Sequence, residues 1–463
     1  MEPLTLNYVA NSCGGEILRG DPAGRVGRVC TDSRQVKPDD LFVALRGDRF
    51  DGHDFLNDAA KKGMAAALVE RNRTAAAAPD CGLIGVENTR TALGRLGGRY
   101  RQDFRAVVVA VGGSNGKTTT KDLLASVLRQ RFQTLSSEAS FNNDLGVPLT
   151  LLNLERSHEV AVVEVGTNHP GELAPLVRLA QPRIGVITCL GREHLEFFGD
   201  LRGVAAEEGC LAELLPADGT LFIHGDSPGA EDVIRRTRAR VVRVGRSEEN
   251  DWRVGATQLS ETGMVFDLAA PKPGFSGGYR INLVGRHQVM NALLAVAVGA
   301  ELGMTRPEVE RGLAEGRASK RRLEMWSARG VRVLDDAYNA NVDSTRAALE
   351  TLRDLPCEGR RIAVLGDMAE LGKQRAAAHA EVGRCAAEAG VEQLFAVGEM
   401  AALMGAAARE AGLMRVIELP SGDVAADAVS RFVRRGDLVL VKASRASRLE
   451  RVSETLRNAG SRE

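Results

Sequence analysis

The feature that most constrains this chain is the run AVVVAVGGSNGKTTTKDLLASVL at positions 106–128, a β-branched stretch passing through glycines into a helical pattern. A strand, a tight glycine turn and a helix N-terminus in succession point several backbone N–H groups at one spot, which is how a chain cradles phosphate. Gly113, Ser114, Asn115 and Gly116 form the turn, Lys117 brings a point charge for β/γ-phosphates, Thr118 offers a hydroxyl to Mg²⁺, and Thr119 continues the helix. The strict GxxxxGK[ST] spacing is not met, because position 111 is Val, so the loop is a shorter variant starting at Gly112 or Gly113. A strand in this context requires a parallel sheet with crossover helices.

Further strand-like runs agree with that requirement: VAVVEV at 160–165, IGVITC at 184–189 and LFIHG at 221–225. A helix is expected over about 286–302, and near Gly316 the pattern restarts with VRVLDD, RIAVLGD, QLFAVG and DLVLVK between Ala-rich helices. The expected fold class is therefore α/β in three domains. These are a small α/β N-terminal domain (1–103), a central P-loop ATPase-type parallel sheet (104–315) and a C-terminal Rossmann-like domain (316–463). Within the first, TAAAAPD at 74–80 reads as a loose surface segment.

Composition narrows the class of ligand. Lys plus Arg and Asp plus Glu each total 61, so no basic excess exists to hold nucleic acid or an anionic membrane, and an anion must be met by a local site. The start lacks the charged and apolar regions of a signal peptide, and the longest apolar stretch, near 289–300, is too short to span a bilayer. A cytoplasmic protein without membrane insertion, monomeric by default, is expected. The seven cysteines show no CxxC pair and read as reduced, mostly buried thiols.

A phosphate loop alone fits a kinase, a GTPase switch or a ligase; the absence of NKxD argues against guanine. Two polar residues at strand ends carry the next step. Glu164 ends VAVVEV, and His194 lies in GREHLEFFG after IGVITC, both at the carboxyl edge where open α/β sheets bind ligands. His287 and Asn291, at i and i+4, share a helix face. VRVLDDAYNAN puts Asp335, Asp336, Tyr338 and Asn339 at another strand end. The alternative for acids at that position is that they cap the next helix, which suits Asp343 better than Asp336.

GGSNGKTTTK, VVEVGTNHPGEL, HLEFFG, GRHQVMNALLA, DDAYNANVDSTRAAL, LGDMAELG and LVKASR occur in the order of the Mur ligases of peptidoglycan synthesis, and the chain resembles that family over nearly its whole length. DDAYNAN and GDMAELG resemble its dipeptide-adding branch. The resemblance implies ATP as co-substrate, two Mg²⁺ ions, and transfer of D-alanyl-D-alanine to UDP-N-acetylmuramoyl-tripeptide through an acyl phosphate. It implies one ion near Thr118 and Glu164 and a second near His194 and a further oxygen ligand. The family commonly has a carbamylated lysine fourteen residues after the histidine; here that position is Glu208, with Glu207 beside it. A glutamate there can offer similar hard oxygens, making turnover independent of CO₂.

By the same resemblance His287 and Asn291 contact adenine, Arg322 reaches ATP, and Asp336 contacts ribose or orients the site. Lys442, Ser444 and Arg445 face the acyl phosphate or the dipeptide carboxylate, although Ala443 stands where the family has glycine. Ser33 and Arg34 fall in the uridine-binding segment. Asn142, Asn143 and Asn168, with Tyr338 and Asn339, fall on the substrate side. Another Mur-type amino-acid ligase, or a P-loop protein that binds nucleotide without ligating, remains the alternative.

Overall fold

The computed structural model describes residues 1–76, 81–260 and 262–460. Residues 77–80 of the expected loose segment lie outside the described residues. The backbone forms three main sheets, each with helices on its faces.

The first sheet runs in the order Glu16–Arg19, Gly82–Val86, Ala66–Glu70, Asp40–Val43, Arg28–Cys30, parallel except for its antiparallel first strand. The helix Thr89–Arg101 leads out of it. Its apolar face joins the same core as one face of the central sheet, with Leu93, Leu96 and Tyr100 packed in one cluster with Val108 and Ala110.

The central sheet has nine strands, in the order Gly277–Ile281, Gly263–Ala269, Trp252–Ser260, Arg240–Gly245, Thr220–His224, Ile184–Ile187, Val107–Gly112, Val160–Glu164, Thr134–Ser136. Seven are mutually parallel, as β-branched runs buried on both faces require. The other two form an antiparallel extension, Gly263–Ala269 and Gly277–Ile281, which departs from the purely parallel expectation. Their alternating burial shows one covered face and one solvated face. The chain leaves Val107–Gly112 for strands on one side and then crosses to Ile184–Ile187 on the other. That strand is therefore a switch point, where its carboxyl end opens a crevice. The helix Arg286–Glu301 is buried from Gln288 to Ala300 and packs against the phosphate-loop helix Lys117–Leu128. Helix-wide burial explains its apolar composition.

The third sheet has the order Glu324–Ala328, Val331–Asp336, Leu438–Lys442, Arg361–Gly366, Gln393–Val397, Val416–Leu419, parallel apart from the first. Leucine- and valine-rich clusters cover its two faces. Sequence reasoning found four of these strands and missed the two edges, Glu324–Ala328 and Val416–Leu419, whose half-polar residues are only partly buried. Among the described residues no helix is long and apolar enough to cross a membrane, and no disulfide joins the cysteines.

Candidate active site

The phosphate loop closes on itself before any ligand arrives. Gly113 has φ +111° and Gly116 φ +86°, conformations that favour glycine. A Cβ on Gly113 would also sit 2.5 Å from Thr188 Oγ1, and one on Gly116 2.5 Å from Asn291 Oδ1. The loop is braced by the next strand: Ser114 N–H donates to Cys189 O at 2.8 Å, and Thr188 Oγ1 donates to Asn115 O at 2.6 Å. Lys117 opens the helix and folds its ammonium back over the loop, donating to Gly113 O at 2.5 Å and lying 3.5 Å from Glu193 Oε2.

Three buried carboxylates surround this lysine. Glu164 Oε1 accepts from Thr118 Oγ1 at 3.2 Å and from Asn142 Nδ2 at 2.8 Å, so the structure joins the pair expected at the first ion. Glu208 Oε2 accepts the Gly113 N–H at 2.7 Å. Glu193 completes the set. Each keeps one buried oxygen without a partner: Glu164 Oε2, Glu193 Oε1 and Glu208 Oε1. Burial pushes the Glu208 carboxyl well up, with Glu193 adding and Lys117 opposing. Burial alone would lower the Lys117 pKa, but Glu193, Glu208 and Glu164 outweigh it and raise it.

One lysine facing three acids leaves an excess of negative charge, and burying unpaired charge is costly unless a cation offsets it. Hard, partnerless oxygens beside a phosphate cradle fit Mg²⁺. Among the described residues no three His, Cys, Asp or Glu are grouped to hold a metal by themselves. An ion sharing its shell between one or two carboxylates, phosphate and water fits that arrangement.

The residues expected at the second ion, His194 and Glu208, stand on either side of a third acid. His194 directs Nδ1 to Glu370 of the C-terminal domain, and its Nε2 lies 3.8 Å from Glu193 Oε2. Glu193, absent from the expected set, neighbours both. Glu207 is not the alternative to Glu208, since its carboxylate accepts from Gly171 N–H and Leu173 N–H at 2.8 Å and holds the segment before the next helix.

Residues of the central and C-terminal domains line one cavity of about 770 Å³. Ser114 to Thr119, Asn142, Asn143, Glu164, Asn168, His194, His287, Asn291, Arg322, Asp336, Tyr338, Asn339, Lys442 and Ser444 all border it. Burial holds the His287 pKa down at about 4, keeping the ring neutral. Asn291 Nδ2 donates to Gln288 Oε1 at 2.8 Å. Asn143 Oδ1 accepts from Gly146 N–H at 2.9 Å, a helix-start contact rather than one to open space.

On the C-terminal side the polar groups are paired with one another. Lys442 Nζ donates to Asp336 and to Asn339 O, so the two residues expected to serve separate ligands form an ion pair. The Arg322 guanidinium lies 4.1 Å from the Tyr338 ring centroid and donates to Ser140 Oγ at 3.1 Å. Ser444 Oγ donates to Ala340 O and accepts from Ala369 N–H. Asp335 points away from the cavity, and burial raises its pKa to about 6. Asn341, rather than an acid, caps the helix Val342–Asp354, and Asp343 in its first turn bonds across the domains instead.

Arg445 is exposed and does not border this cavity itself, but its guanidinium lies 5.7 Å from the ring centroid of Tyr338, which does. Ser33 and Arg34 stand on the first domain, where the uridine-binding segment is expected, with Arg34 bonded to Asp32. Sequence reasoning missed Glu193, Glu370, Ser140 and Asn341, although all four lie within a few positions of residues it singled out.

Comparison with known proteins follows the same three-part layout. Family models described as "Mur ligase family, catalytic domain", "Mur ligase middle domain" and "Mur ligase, glutamate ligase domain" match residues 25–101, 111–299 and 321–445. A UDP-N-acetylmuramoyl-tripeptide--D-alanyl-D-alanine ligase of Escherichia coli is 35% identical over 99% of this chain and 100% of its own length. Among solved structures, MurF from Acinetobacter baumannii superposes with a TM-score of 0.88 at 29% identity, covering 99% of both chains. MurF ligase from Thermotoga maritima, solved with ADP, gives 0.81 at 26% identity over 94% of this chain and 98% of that one. With its phosphate loop, buried carboxylates and C-terminal strand ends meeting in one cavity, the chain belongs to the Mur ligase family.

Proposed function

We propose that this chain joins D-alanyl-D-alanine to UDP-N-acetylmuramoyl-tripeptide with ATP, making a peptidoglycan precursor in the cytoplasm. The observation that carries the reading is the single cavity into which the phosphate loop, the Asn142–Asn168 side and the C-terminal strand ends all open. Such a cavity can hold a nucleotide and two further reactants in contact.

A peptide carboxylate is a poor acyl donor until an oxygen of it carries phosphate. In the first step a carboxylate oxygen forms a bond to the γ-phosphorus and the bond to ADP breaks. In the second, the dipeptide amine attacks the acyl carbon, gives up a proton, and phosphate leaves. Lys117 and the loop amides bind and orient the phosphates, and Asn142 and Asn168 border the tripeptide's end of the cavity. His287, Asn291 and Arg322 border the nucleoside, and Tyr338, Asn339 and Ser444 border the amine. Thr118 and Glu164 would hold one Mg²⁺, and Glu208 and Glu193 a second, with His194 beside it. Mg²⁺ when bound supplies positive charge that offsets the transferring phosphoryl group. Ser33 and Arg34 on the first domain meet the uridine end.

Glu208 has its carboxyl oxygens without prior carbamylation, and a bound cation would favour their ionised form, so turnover needs no CO₂. ADP release is measured with ATP, Mg²⁺ and UDP-N-acetylmuramoyl-tripeptide, with and without D-alanyl-D-alanine, in CO₂-depleted and bicarbonate buffers. Release that depends on the dipeptide and ignores bicarbonate is expected. Release without dipeptide would overturn the ligase reading, and bicarbonate dependence would overturn the role of Glu208.

A further inference from the structure

The loop between the strand Ile184–Ile187 and the helix Leu201–Glu213 carries Glu193 and His194 into the cavity, yet its most extensive side-chain contacts are made by Arg192, which faces the other domain. Arg192 Nε and Nη2 donate to Asp343 Oδ1 at 3.0 and 2.7 Å. Nη1 and Nη2 donate to Glu381 Oε2 and Oε1 at 2.8 and 2.9 Å. Its backbone N–H donates to Asp343 Oδ2 at 2.8 Å. Asp343 starts the helix Val342–Asp354 and Glu381 lies on the helix Arg375–Glu388, so one guanidinium ties two C-terminal helices to one central loop.

Among the described residues neither carboxylate has a comparable alternative: Arg346 reaches Asp343 only at 3.6 Å, and the Arg192 contact leads the lowering of the Glu381 carboxyl pKa. The Arg192 side chain is 27% exposed. A planar fork meeting two carboxylates edge-on is selective for geometry as well as charge. Secondary contacts follow the same seam, with Glu196 N–H donating to Glu370 O at 2.9 Å and Gln374 Nε2 to Gly199 O at 3.1 Å.

We infer that Arg192 is a positioning residue for the ligase reaction: its double fork to Asp343 and Glu381 holds the C-terminal domain closed on the loop that bears Glu193 and His194. The inference rests on the ligase reading above. Opening the cavity breaks all of these bonds together, so closure and the placing of Glu193 and His194 are one event. A closed cavity also keeps water from the acyl phosphate, so the clamp protects coupling between ATP use and ligation.

The test uses the full chain and the variants Arg192→Ala, Arg192→Lys and Glu381→Gln. The measurements are kcat and KM for each substrate, phosphate released per dipeptide joined, and the radius of gyration by small-angle scattering with ATP analogue and tripeptide bound. Arg192→Ala should lower kcat about tenfold, equivalent to about 1.4 kcal/mol. It should also raise phosphate released per ligation and enlarge the liganded particle. Glu381→Gln should shift all three in the same direction. Arg192→Lys, keeping charge without the fork, should fall between Ala and wild type. Wild-type coupling and compaction in Arg192→Ala would overturn the proposal. So would a loss of activity with a lowered Tm that leaves coupling and compaction of the folded fraction unchanged. A wild-type chain that compacts but does not ligate would instead remove the ligase reading.

Discussion

The two sides of the cavity are built on opposite electrostatic plans. On the central-domain side Glu164, Glu193 and Glu208 face one lysine and keep three buried oxygens unpartnered. On the C-terminal side Lys442 is paired with Asp336, Arg322 rests on Tyr338 and Ser444 is bonded at both its donor and its acceptor face. The first side is incomplete without cation and phosphate, and the second satisfies itself. Nucleotide and metal therefore complete a prepared site, whereas a ligand on the C-terminal side must exchange contacts already made.

Substitutions can break that contrast. The largest effect is expected from Lys117→Ala, which removes the one cation among three acids and should cost about 10³-fold in kcat, in the range seen when a charge-stabilising group is lost. ADP release at saturating ATP reads it out. Next, Lys442→Met leaves the largely covered Asp336 without its cation, with the Leu323 N–H as its remaining donor. It should destabilise the fold by about 3 kcal/mol in urea unfolding, and Asp336→Asn in the same chain should recover most of that loss. Failure of the second change to rescue would show that the C-terminal pair is not self-sufficient.

Glu208→Gln keeps an oxygen for the Gly113 N–H but removes charge, so the loop should persist while apparent Mg²⁺ affinity falls about 10-fold to 100-fold. Titration with Mn²⁺ followed by electron paramagnetic resonance separates affinity from turnover. The smallest effect concerns His287. Its folded pKa near 4 lies below the ordinary histidine value of 6.5, so the native state binds fewer protons than the unfolded chain between those values. Its contribution is full above pH 6.5 and is lost as pH falls toward 4, reaching about 1.4 kcal/mol by pH 5.5. Wild type should lose that much more stability than His287→Gln over the same interval.

Legibility followed sequence distance. Gly113 to Thr119 were readable because turn, lysine and helix start are contiguous, and Glu164 because it ends a β-branched run. Glu193 sits beside His194 in sequence and was still missed. Nothing in GREHLEFFG says that residue 193 turns toward Lys117 while residue 192 faces another domain. Arg445 adjoins Lys442 and Ser444 in sequence, but it opens the short 3₁₀ turn Arg445–Ser447, and its exposed guanidinium reaches the cavity only through the ring of Tyr338. The antiparallel strands at 263–281 were hidden by the parallel pattern before them.

By itself the sequence determined three α/β units and a phosphate-binding loop, along with the family they belong to. Those depend on burial periodicity and on backbone conformations set by neighbouring residues. Only the tertiary structure decided that Lys442 meets Asp336, that His194 meets Glu370, that Glu193 joins Glu164 and Glu208 around one lysine, and that Arg192 spans two domains. These partners mostly lie tens to hundreds of positions apart, and their meeting depends on how whole sheets pack, which no local pattern encodes.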